Sequence, residues 1–187
     1  VKHENRILKE GSISDYKFIG ESSAIIKIKQ QIVKIAPTSS RVMIYGESGT
    51  GKDIIAKEIH KNSINKDGPF IILNAALMEP ENLESELFGI QDNNLDEIGH
   101  LEKAENGTLF IDEVGEMPLQ TQAKILRVLT DKNFTKRGGK ELIKLNCRII
   151  CSSTKNLEQL TNEGSFRKDL FHRLNVVTIK LPNLSER

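Results

Sequence analysis

Apolar positions along this chain follow two rhythms that take turns. Over residues 23–36 isoleucines recur at Ile25, Ile28, Ile32 and Ile35, a helical spacing that Pro37 ends. Residues 41–45 are a short β-rich run leading into a glycine loop. Residues 52–61 return to helical spacing, with Ile55, Ala56 and Ile59 on one side. The same exchange continues downstream. It predicts a strand at 70–73, a helix with Pro80 in its first turn carrying Leu83, Leu87 and Phe88, and a strand at 108–111. An amphipathic helix follows at 119–129, and residues 134–145 resemble a hairpin around Gly138 and Gly139. A core strand at 147–152, short helices at 156–162 and 167–174 and a last strand at 176–181 complete the reading. Residues 89–99 are polar, bounded by glycines and patternless, so a loop is expected there. The polar residues 1–17 read as a linker. Strands alternating with helices predict an α/β domain with a mainly parallel sheet covered on both faces.

Composition narrows the function classes. The 187 residues suit one domain with a sizeable core, and 27 basic against 26 acidic side chains leave a net charge of +1. That balance supplies no polybasic face for nucleic acid. No apolar run approaches membrane-spanning length, and no signal peptide is present, which suits a cytoplasmic protein. Cys147 and Cys151 lie four apart in an apolar stretch with no histidine close by, so they read as small buried hydrophobes rather than a disulfide or metal site. The chain starts at Val1 and ends at Arg187 in a run, LPNLSER, that reads as the interior of a longer protein.

Three motifs carry chemistry. The first is Gly46-Glu47-Ser48-Gly49-Thr50-Gly51-Lys52, set between a predicted strand and a predicted helix. Its glycines let backbone N–H groups converge on phosphate oxygens, the helix adds its positive end, and Lys52 supplies a point charge to the β and γ phosphates. The usual pattern is GxxxxGK followed by Ser or Thr to bind magnesium; Asp53 stands there instead. The second motif is Leu109-Phe110-Ile111-Asp112-Glu113, which ends a buried strand in two acids sixty residues after Lys52. Asp112 would hold Mg²⁺ and Glu113 would polarise the attacking water. Taken alone, such a run is equally a strand ending in a solvated acidic turn. The third is the segment 164–174, in which Arg167 and Arg173 lie six apart. They are either solubilising surface residues or guanidinium groups that reach the γ phosphate of a neighbouring subunit.

Together, GESGTGKD, NAALMEPENLESELFG, GTLFIDEVGEM, GSFRKDLFHRLNVV and LPNLSER resemble the central AAA+ domain of NtrC-type response regulators, the sigma-54 interaction ATPases. The resemblance runs from about residue 18 to 187. It implies a three-layer αβα P-loop NTPase domain whose helical lid would follow the last residue here. It also implies ATP and Mg²⁺ as cofactors, with Asp53 at a position where the family commonly carries an acid that acts on the metal or its water shell. Asn74 matches the asparagine that would pair with Glu113. Thr154 falls at the first-sensor position, where the family usually has asparagine, and Arg167 and Arg173 match its arginine fingers. The implied partners are further copies of the chain, in a ring or dimer, a histidine kinase acting through a preceding receiver domain, and DNA through a following helix-turn-helix domain.

One departure alters the expected output. Relatives that remodel sigma-54 polymerase carry GAFTGA shortly after ELFG, whereas residues 90–98 here read IQDNNLDEI and are several residues shorter. Together with NAALMEPE and the serine-rich Cys151-Ser152-Ser153-Thr154, this makes the chain most similar to the NtrX type within the family. Sigma-54 polymerase is therefore not an expected partner. The leading expectation is an ATP-hydrolysing oligomerisation module of a two-component transcriptional regulator. The alternatives are a nucleotide-sensing scaffold with little hydrolysis and a sigma-54 activator with a shortened loop. A small P-loop kinase is disfavoured, since no arginine-rich lid is seen.

Overall fold

A computed structural model describes residues 22–183, so the expected linker at 1–17 and the final LSER lie outside the described residues. Five strands form one parallel sheet: β1 (Val42–Tyr45), β2 (Phe70–Asn74), β5 (Thr108–Asp112), β8 (Arg148–Ser153) and β9 (Val177–Lys180), in the order β2-β5-β8-β1-β9. Alternation within each central strand sorts the core into two layers. Met43, Leu109, Ile111, Ile149 and Cys151 face one side. There they pack with α3 (Pro80–Phe88), α5 (Leu119–Asp131) and α7 (Lys168–Leu174), through Leu83, Leu87, Ile125, Leu170 and Leu174. Val42, Ile44, Phe110, Ile150 and Ile179 face the other side. They meet α1 (Ser23–Ile35) and α2 (Lys52–Lys61) through Ile28, Ile32, Ile55 and Ile59. Complete burial of such side chains contributes about 1.5–3 kcal/mol each, and this double-sided demand is why the central strands read as continuous apolar runs.

Local chemistry sets the ends of these elements. The Ser22 hydroxyl accepts from the N–H of Ile25 and caps α1. Pro80 opens α3, where its missing N–H is no loss. Asn156 caps α6 (Leu157–Asn162) by accepting from the Gln159 N–H. At the other end of α1, the buried Arg148 guanidinium donates to the carbonyls of Ala36, Ile35 and Ser40 at 2.7, 2.9 and 3.1 Å. A cation on the last carbonyls of a helix satisfies orphan acceptors and suits the helix dipole.

The expected loop at 89–99 is instead a hairpin of β3 (Gly89–Gln91) and β4 (Asp96–Ile98), paired Gly89 to Ile98 and Gln91 to Asp96. Its tip is closed by Asp92, whose Oδ1 accepts from the N–H groups of Asn94 and Leu95 at 2.8 Å each. All residues from 92 to 98 are exposed. A strand that buries nothing carries no apolar alternation, and so the pattern missed it. Gly89 (φ +87°) permits a close approach, since a Cβ there would lie 2.5 Å from the Glu97 carbonyl oxygen. The second expected hairpin is present as β6 (Asn133–Phe134) and β7 (Ile143–Lys144). The two hairpins are joined. Gln91 N–H donates to Arg137 O and Arg137 N–H to Gly89 O, both at 2.9 Å, while Lys136 reaches Asp96 at 2.6 Å. A short helix, α4 (His100–Lys103), follows.

Candidate functional site

Parallel order brings the carboxyl ends of β1, β5 and β8 side by side, and the first two sequence motifs meet there. The glycine loop leaves β1 after Tyr45 and enters α2 at Lys52. Gly49 and Gly51 take φ values of +78° and +92°, which glycine adopts without strain. Gly51 caps α2 and carries no side chain to close it, so the N–H groups of the first turn stay directed at the loop. Thr50 is buried, its hydroxyl donating to Glu47 O at 2.6 Å. Glu47 and Ser48 are exposed on the loop's outer side. A Cβ on Gly46 would lie 2.6 Å from Thr50 Oγ1, so this bend has no room for a larger residue. Asp53 is exposed in the first turn of α2.

Lys52 is 7% exposed, and its Nζ donates to the carbonyls of Gly46 and Glu47 at 2.9 and 3.0 Å. The same Nζ stands 3.9 Å from Glu113 Oε1. Glu113 Oε2 accepts from Thr154 twice, from the hydroxyl at 2.9 Å and from the N–H at 3.3 Å. The Glu113 backbone is left-handed, with φ 57° and ψ 51°, a conformation that costs a non-glycine residue about 1–3 kcal/mol. Asp112 is gripped on both oxygens: Asn74 Nδ2 donates to Oδ2 at 3.2 Å, and Ser152 Oγ donates to Oδ1 at 2.5 Å.

The expected pairing of Asn74 with Glu113 is thus not the one formed. Asn74 lies opposite Asp112 in the β2–β5 register, so its amide meets the nearer acid, while Thr154 holds Glu113. Ser152 is the residue that motif reading passed over. The signal for it lies in strand register: Ile111 pairs with Cys151, which sets Ser152 beside Asp112.

The arginines stand apart from this cluster. Arg167 is exposed at the start of α7, its guanidinium paired with Asp169 at 3.0 and 2.9 Å. That pairing holds the Asp169 carboxyl below its ordinary range. Arg173 is exposed, and its carbonyl accepts from Arg41 Nε at 2.9 Å. Arg41 precedes β1 at its amino end, whereas the glycine loop leaves the carboxyl end. The backbone of Arg173 therefore sits at the opposite end of β1 from the chain's own Lys52.

The thiols behave as the sequence indicated. Cys151 is buried in β8, Cys147 is half-buried just before it, and burial pushes both up to about 12. Among the described residues no group of three or more His, Cys, Asp or Glu could hold a metal ion, and no helix is long and apolar enough to cross a membrane.

A glycine-rich turn between strand and helix and an acid pair, both at the carboxyl ends of a parallel sheet, give the chain the fold of a P-loop NTPase domain of the AAA+ type. The Sigma-54 interaction domain family matches residues 18–180, and the chain belongs to that family. It is 42% identical to the nitrogen assimilation regulatory protein NtrX of Azorhizobium caulinodans, over all of this chain and 41% of that protein. It is 45% identical to the DNA-binding transcriptional regulator NtrC of Escherichia coli K12, over 90% of this chain and 37% of that one. The chain thus spans about two fifths of the length of these relatives. The crystal structure of Brucella abortus NtrX in complex with ADP superposes with a TM-score of 0.90 at 45% identity, covering 100% of this chain and 42% of that one.

Proposed function

We propose that this domain binds and hydrolyses ATP, assembles with further copies of itself through the nucleotide site, and serves a cytoplasmic DNA-binding regulator of the two-component type. The observation that carries this reading is the convergence of Lys52, Asp112 and Glu113 beside the open first turn of α2. The fit to a nucleotide rests on this chain's own groups. Backbone N–H groups of residues 46–53 and the Lys52 ammonium suit phosphate oxygens. Asp112 retains lone pairs beyond its two bonds and would hold Mg²⁺ together with phosphate oxygens and water, as that ion prefers. Asp53 would contribute through the water shell. When bound, the metal supplies neutralisation of phosphate charge. Glu113 orients and polarises the attacking water once its carboxylate leaves Lys52 and turns from Thr154.

Arg167 and Arg173 act in trans on this reading, completing a neighbour's site. The placement of Arg173 supports it, because its backbone lies at the far end of β1 from its own glycine loop. Arg167 must first exchange Asp169 for phosphate. Receiver and helix-turn-helix domains belong to the proposal too, with a histidine kinase and DNA as their partners, residues 1–17 as the linker and a lid after residue 187.

Sigma-54 polymerase is not remodelled on this reading. Residues 90–98 contain no GAFTGA, and they form a hairpin bonded to Arg137. A fluorescent ATP analogue titrated against the full-length protein and Lys52→Ala tests the site: binding by the first and loss of at least tenfold in the second is expected. Equal affinity would contradict the assignment. Robust activation from an enhancer-dependent promoter would contradict the sigma-54 part.

A further inference from the structure

Ser152 is the last residue but one of β8, with 0% of its surface exposed, and its hydroxyl has a single proton to give. That proton goes to Asp112 Oδ1, at 2.5 Å. The serine oxygen itself accepts from the N–H of Glu113 at 3.3 Å. A neighbouring N–H already points at the serine oxygen, so its hydroxyl proton is directed to the carboxylate. One hydroxyl therefore spans both acids, fixing the carboxylate of the first and the backbone of the second, which is held left-handed. Asn74 fixes the other oxygen of Asp112 from β2. The Asp112 side chain is thus clamped between strands on both flanks by two neutral donors.

We infer that Ser152 is a positioning residue: it sets the Asp112 carboxylate for the divalent cation and ties that orientation to the strained backbone of Glu113. This rests on the reading of Asp112 as a metal-holding group. Ser152→Ala would remove the donor from Oδ1 and leave the Glu113 N–H without that acceptor. Both acids would then lose alignment while the core keeps its packing. Partners that orient metal-holding carboxylates typically matter by 10–100-fold.

The test uses the full-length protein with Mn²⁺ as the probe, its free concentration followed by electron paramagnetic resonance in the presence of ADP. Ser152→Ala should weaken Mn²⁺ binding by on the order of tenfold, Ser152→Thr should restore most of it, and ADP affinity in chelator should match the wild type. Unchanged Mn²⁺ affinity in Ser152→Ala overturns the inference. Equal losses in the alanine and threonine variants, with equal drops in thermal midpoint, also overturn it, since packing alone would explain them. Asp112→Ala with the affinity of the wild type removes the premise and the inference together. A protein that binds Mn²⁺ as expected but releases no phosphate would leave the inference standing while the hydrolysis reading fails.

Discussion

Two buried cations, one at each end of the sheet, show how differently this fold uses charge. Arg148 is 5% exposed and Lys52 7%, and each donates only to backbone carbonyls among its hydrogen bonds described above. Arg148 meets three carbonyls around the end of α1, a helix terminus that already favours positive charge. Its fork of donors matches that arrangement and ties β8 to α1. Lys52 meets two carbonyls of a glycine loop, with an acid 3.9 Å away and the positive end of α2 beside it. One cation sits where the backbone wants it. The other sits between acceptors that hold an ammonium and the open N–H groups of a helix start that favour an anion, and function follows from that juxtaposition.

The sharpest way to break the contrast is Arg148→Met. Three buried carbonyls would lose their donors, and the domain should lose about 2–4 kcal/mol in urea denaturation, with nucleotide affinity retained in the folded fraction. Lys52→Ala should do the reverse: nucleotide affinity down roughly 10–100-fold, with stability changed by less than about 1 kcal/mol. Should the two variants exchange these phenotypes, the division of labour proposed for the cations is wrong.

A smaller effect is expected from Gly138→Ala. Its φ is +79°, and a Cβ would stand 2.6 Å from the Gln91 carbonyl oxygen, inside the junction of the two hairpins. Amide exchange of residues 89–99 should accelerate, with a destabilisation of about 1–2 kcal/mol and unaltered nucleotide binding. Coupled loss of nucleotide binding would show that the joined hairpins communicate with the site.

The smallest effect concerns pH. His60 is buried, with Nδ1 2.8 Å from the Thr108 hydroxyl and Nε2 3.1 Å from the Gly68 carbonyl. Burial holds it below its ordinary value. The unfolded chain therefore takes up the proton first, and stability should fall as pH drops below about 6.5. His60→Gln should flatten that slope in denaturation measured from pH 7.5 to 5. An unchanged slope would assign it to other groups.

These contrasts also explain what could be read from the sequence. The glycine loop and the acid pair were legible because their chemistry needs particular residues at particular spacing, and the sheet was legible because strands buried on both faces must be apolar. Arg148 left no signal, since its partners are carbonyls of residues 35, 36 and 40, and every residue has a carbonyl. The hairpin at 89–99 was hidden for a related reason: backbone bonds to Arg137 hold it, and its side chains face water. Asn74 lies beside the acid pair, but its amide goes to Asp112 rather than to Glu113. Motif order brings it near both acids, and only strand register decides that Asp112 receives its amide.

The central claim, that Lys52, Asp112 and Glu113 form a working hydrolytic site, is tested most directly by phosphate release from the full-length protein at saturating ATP, with Glu113→Gln at matched nucleotide occupancy as reference. The account predicts turnover well above that of the variant, with binding preserved in both, because Glu113 acts on water and Lys52 on phosphate. Turnover no faster than Glu113→Gln, with nucleotide still bound, would contradict it and leave a nucleotide-sensing scaffold in its place.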